Sequence, residues 1–182
     1  MANKDRPRGA YPTRNVGGGT SFATNEYSVD ASAGAIYPGD FVILEADGSA
    51  APATAGTGTA LLGVCQGVVG RYDDLSKRYL PASTAGTISV FDDPYTMFSV
   101  QEVSGGTPLA LTDVGNNVPI VAGAGSTSTS LSGHEINNAG EVATTEQIRL
   151  VRLLPVEGNA VGEHADWEVL INEHQYKEAA GV

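Results

Sequence analysis

Short runs of β-forming residues, broken every several positions by glycine, proline or aspartate, recur along this chain. No stretch keeps a 3.6-residue apolar period for three turns with caps at both ends. Together these features exclude helical bundles and alternating α/β folds and predict an all-β, or nearly all-β, body of barrel or sandwich type. Phe41-Val42-Ile43-Leu44 lies between the turn residues Pro38-Gly39-Asp40 and Asp47-Gly48. Leu61 to Val69 is an apolar run interrupted by Gly63 and Gly67, which mark bulges or close backbone approach. Residues 87–91, 98–101, 118–122, 148–154 and 167–171 complete about seven predicted strands. The one helical hint is a single turn between Asp73 and Leu80.

The segments between strands are small and polar. Ser49 to Thr59 contains only Ser, Ala, Pro, Thr and Gly, and Gly123 to Ser132 reads GAGSTSTSLS. Both predict long loops. Leu, Ile, Val and Phe make up 41 of the 182 residues, while Gly and Ala add 23 each. A monomer of 18.7 kDa exposes about 8,300 Å² by size scaling. A core this thin is expected to leave apolar surface for a second copy or a lattice partner.

Charge divides the chain. Residues 1–14 carry Lys4, Arg6, Arg8 and Arg14 against Asp5, a net +3, while the rest holds 6 basic and 20 acidic groups, a net −14. An acidic body repels phosphate backbones and anionic membrane surfaces, so neither nucleic acid nor membrane is an expected partner. No apolar run reaches the length of a membrane-spanning helix, and the charged start has no apolar signal segment. Cys65, the one cysteine, sits in an apolar run and reads as a small buried hydrophobe.

Motifs for chemistry are missing. Gly17-Gly18-Gly19-Thr20-Ser21 lacks the lysine and following helix of a phosphate loop, and there is no G-x-S-x-G nucleophile turn. His134, His164 and His174 do not have the spacing of a helical zinc site and read as surface histidines. Asp73-Asp74 and Asp92-Asp93 are adjacent pairs, and neighbours on a strand point to opposite faces. Asp92-Asp93-Pro94 reads as a turn. No catalytic residue, cofactor or metal site is expected, and the chain does not read as an enzyme. Trp167, Val169 and Ile171 alternate on one strand face and are the expected core or subunit interface.

The leader, Arg6-Pro7-Arg8-Gly9 with Tyr11-Pro12 and Arg14, resembles the start of a family of tailed-bacteriophage virion proteins. Later pieces match in the same order: Asp92-Asp93-Pro94 leading to Phe98, Val100-Gln101-Glu102, Thr112-Asp113-Val114-Gly115, and Leu131-Ser132-Gly133 with Glu135. The C-terminal match is Trp167-x-Val169-x-Ile171-Asn172-x-His174-Gln175-Tyr176. The resemblance spans nearly the whole chain, although each motif is short and none is catalytic. It implies a capsid decoration, or cement, protein: a homotrimer on the outer surface of the head, bound to the major capsid protein and assembled in the host cytoplasm. Other phage β-structural parts (a tail tube, connector or fibre component) are the alternative, followed by a trimeric β enzyme or a carbohydrate-binding module.

Within this frame residues 1–21 form an extended basic arm and glycine-rich hinge, and residues 22–182 form the β-rich body. Pro7 favours an extended backbone at Arg6 and at itself. Arg6, Pro7, Arg8, Tyr11, Pro12 and Arg14 are the expected capsid-binding residues. The arm is expected to order only when bound, and deleting residues 1–14 is expected to leave a folded body.

Overall fold

The computed structural model describes residues 3–56, 59–70, 74, 76–140 and 144–177. Among them are twelve strands and one short 3-10 turn at Leu111–Asp113. The predicted turn between Asp73 and Leu80 lies partly outside the described residues, and the described part is not helical. The first sheet has the order β1 (Tyr11–Asn15), β7 (Thr96–Gln101), β12 (Asp166–Ile171), β11 (Ile148–Leu153), β8 (Asn117–Val118). The second runs β2 (Asn25–Val29), β6 (Gly86–Phe91), β5 (Leu61–Val69), β3 (Phe41–Leu44), β4 (Ala50–Pro52). β9 (Ile120–Ser126) and β10 (Leu131–Ile136) form a separate hairpin. Every strand pair is antiparallel.

The continuous apolar runs have a simple cause. β3 and β5 are covered on both faces, so successive side chains all enter a core. Phe41, Leu61 and Val64 point into the main cluster with Phe98, Val100, Leu150 and Trp167. Val42, Leu62 and Cys65 point the other way, into a second cluster with Val29, Ile36, Leu80 and Ile88. The register of β5 against β6 shifts between Cys65 and Gly67, as the glycine breaks predict.

Two predicted loops carry strands. Ala50–Pro52 is β4, with Ala50 fully buried. Residues 123–132 contain the end of β9, its turn and the start of β10. The small residues are what allow this hairpin: a Cβ on Gly123 would collide with the Gly133 carbonyl, and one on Gly125 would enter the Tyr37 ring.

The chain exposes 8466 Å², close to the ~8,300 Å² of a self-contained monomer of this mass. Covering both faces of β3 and β5 draws their apolar side chains into two clusters.

Candidate functional site

The basic leader is built into the first sheet. Tyr11–Asn15 is its edge strand, paired with β7 from Tyr11↔Ser99 to Asn15↔Thr96. Pro12, which has no N–H to give, sits on this edge as expected. The register shifts between Pro12 and Arg14, and Thr13 and Arg14 both reach Glu168 on β12. The Arg14 Nε lies 3.2 and 3.3 Å from the two Glu168 oxygens, and a terminal nitrogen lies 3.0 Å from Oε2. Arg152 donates from Nε at 2.7 Å, and the Thr13 hydroxyl donates at 2.8 Å. Glu168 has no exposed surface. Burial alone would raise its carboxyl, but the hydrogen bonds from Arg14, Arg152 and Thr13 outweigh it and hold the group down at about 2.

The rest of the leader follows the same strand. Arg8 lies 3.4 Å from Asp166 Oδ1 and 3.3 Å from the Ser99 hydroxyl, and its guanidinium packs over the Tyr11 ring. Arg6 is more exposed and stands 3.6 Å from Asp166 Oδ2. Gln101, 2% exposed, accepts the Arg6 N–H and donates to the carbonyls of Lys4 and His164. The expected free arm is therefore corrected: residues 3–15 lie along their own body, because its carboxylates are the nearest acidic surface. The glycine-rich hinge begins as a closed turn, with the Gly18 N–H on the Asn15 carbonyl and the Asn15 N–H on that of Gly19.

Trp167, Val169 and Ile171 face the main core, each at most 1% exposed. They pack between the sheets of this chain and offer nothing to a second subunit. The Trp167 indole N–H donates to Glu102 Oε2 at 2.7 Å, and Glu102 is fully buried. The opposite face of β12 carries Asp166 and Glu168, and the signal for it is the same D-W-E alternation.

The histidines are not the surface groups expected. His134 is 4% exposed and His174 fully buried. His134 borders a cavity of about 340 Å³ with Asp40, Tyr37 and Thr54. Its Nδ1 accepts the Phe41 N–H at 3.2 Å and its Nε2 stands 3.6 Å from Asp40 Oδ1. Both ring nitrogens thus face protein groups. Burial raises the Asp40 carboxyl and lowers the His134 imidazole, so both shifts favour the neutral forms. His174 lies in the C-terminal segment, which pairs with Leu61 at the start of β5. Its Nδ1 accepts the Tyr176 N–H, and burial, with the nearby Lys177 charge, pushes the imidazole down to about 4. Asp92 is also buried rather than a plain turn residue, accepting from the Tyr27 hydroxyl at 2.6 Å and from Asn25 at 2.8 Å.

Comparison with known protein families, with curated proteins and with solved structures finds no match.

Proposed function

We propose that this chain is a structural protein of a phage virion, a capsid decoration protein that binds the outer face of the major capsid protein lattice as a homotrimer and has no catalytic role. The sequence resemblance supplies the family. The observation that carries the reading is the β1 edge: among the described residues it pairs with β7 on one side only, and Tyr11 stands 37% exposed on it. An edge strand held rigid by ion pairs offers unpaired backbone groups to a neighbouring chain at little ordering cost. Arg14 and Arg8 are half-buried against Glu168 and Asp166, so the exposed residues that a capsid surface can reach are Arg6, whose contact with Asp166 at 3.6 Å leaves most of its side chain in solvent, Pro7 and Tyr11.

The test is a binding titration on empty capsids that lack this protein. Arg6→Gln and Tyr11→Ala together are expected to weaken attachment at least tenfold, with a melting temperature within a few degrees of wild type. Added salt should weaken the wild type as well. Unchanged attachment by the double variant would move the contact away from the β1 edge. Failure of the wild type to bind capsids, or assembly into rings and stacks, would favour a tail component instead.

A further inference from the structure

Asp5, Glu135 and His164 come together from three separate places: the leader, β10 and the loop before β12. One ligating atom from each lies within 4.8 Å of the other two, and they are the only such trio of histidine, cysteine and carboxylate groups among the described residues. His164 Nδ1 stands 3.7 Å from Asp5 Oδ1. Glu135 Oε1 and His164 Nδ1 are both shut off from solvent, and neither has a hydrogen-bond partner. Two buried polar atoms left unpaired in residues of one trio need an explanation, since such groups are ordinarily satisfied. An ion placed between them would supply it.

The surroundings hold the trio in place. His164 has a left-handed backbone, φ 60°, uncommon for a residue with a side chain. Gln101 donates to the His164 carbonyl and to the Lys4 carbonyl, and it accepts the Arg6 N–H, so it fixes the residues on both sides of Asp5 together with His164. Asn3 donates to the carbonyls of Ala160 and Glu163, tying the start of the leader to the loop that carries His164. His164 also lines a cavity of about 210 Å³ with Lys4, Arg6 and Asp166.

We propose that Asp5, Glu135 and His164 form a binding site for a first-row divalent cation such as zinc, which fastens the leader to the body. One imidazole nitrogen with two carboxylate oxygens suits zinc or manganese better than calcium. Zinc holds such ligands at about 2.1 Å, so the three atoms must close in by roughly an ångström, which the exposed Asp5 side chain allows. Water completes the coordination. The site does not depend on the capsid reading.

The test uses the full chain, stripped with EDTA and titrated with zinc chloride by calorimetry. One zinc per chain is expected, and at a hundredfold excess over Kd the melting temperature should rise by roughly 5–10 °C. Asp5→Asn, Glu135→Gln and His164→Asn should each lower affinity at least tenfold, and asparagine tolerates the left-handed backbone at 164. Cobalt substitution should give visible d–d bands in the wild type that His164→Asn loses. No saturable zinc binding below 1 mM, or equal affinity in the wild type and the Asp5→Asn and His164→Asn variants, would overturn the site.

Discussion

Glu168→Gln tests whether the charge beneath the leader stabilises the fold. The carboxylate has no exposed surface and is held at about 2 instead of its ordinary 4.5. That fall corresponds to about 3 kcal/mol, at about 1.4 kcal/mol per tenfold change in proton affinity. The folded value lies below the unfolded one, so the unfolded chain takes up the proton first. The stabilisation is therefore complete above about pH 4.5 and is lost as the pH falls toward 2. Glutamine has the shape of the protonated acid, so the variant should be less stable by about 3 kcal/mol at pH 7. More than half of that difference should be gone by pH 3, where the wild type has itself begun to lose the charge. Asp40, Glu102, Glu135 and Glu146 are raised and titrate with the opposite sign, but they do so in both proteins and cancel in the comparison. The assay is urea unfolding of both proteins at pH 7, 5, 4 and 3, followed by the fluorescence of Trp167, the one tryptophan. A cost below about 1 kcal/mol at pH 7, or an equal cost at pH 7 and pH 3, would refute the reasoning.

Three further outcomes are expected. Trp167→Ala should cost about 3–5 kcal/mol or more in chemical denaturation, because it opens a cavity and leaves the buried Glu102 without its indole donor; Trp167→Phe should keep most of the packing and cost about 1–3 kcal/mol. His174 is held neutral down to about 4 while the unfolded chain protonates near 6.5, so stability should fall by up to about 3 kcal/mol between those values, and His174→Gln should flatten that part of a pH-dependent unfolding series. Cys65 is buried with its thiol pushed up to about 12, so labelling by a thiol reagent at pH 8 should proceed only as fast as the protein opens, and native labelling within seconds would contradict its place in the second core.

Elements packed on both faces were legible from sequence, because every residue of Phe41-Val42-Ile43-Leu44 or Leu61-Leu62 reports burial. The face of β12 that carries Trp167, Val169 and Ile171 was legible for the same reason. The edge strands were not. β1 holds a proline and an arginine, β2 reads Asn-Glu-Tyr-Ser-Val, and β4 is Ala-Ala-Pro, so their strand character comes from the partner alongside them. The predicted strand at residues 118–122 reaches only the start of β9; the rest of the β9–β10 hairpin was hidden because glycine and serine carry no alternation signal, although their smallness is what permits the close backbones at Gly123 and Gly133. The outer members of the Asp5, Glu135 and His164 trio lie 159 positions apart in sequence and have no motif spacing, so only the fold could assemble it.

The sign difference between leader and body pointed to an electrostatic contact but left open which acidic surface it meets. Burial decides that question. An exposed ion pair is worth about 0–1 kcal/mol, so a leader bound only by surface pairs would exchange freely between its own body and a neighbour. Removing one partner of a buried pair costs about 3–5 kcal/mol, because the remaining charge stays out of water. Glu168 is fully buried, and Arg14 is one of two guanidiniums that bond it, so the leader cannot leave without removing the Arg14 hydrogen bonds and leaving Arg152 as the one ion-pair partner of that carboxylate among the described residues. Deleting residues 1–14 would also strip Thr13 from Glu168 and the pairing strand from β7, so the truncated chain is expected to be destabilised rather than to persist as an intact body. Capsid attachment is then better tested by changing the exposed residues Arg6 and Tyr11 on an intact β1 than by removing the leader.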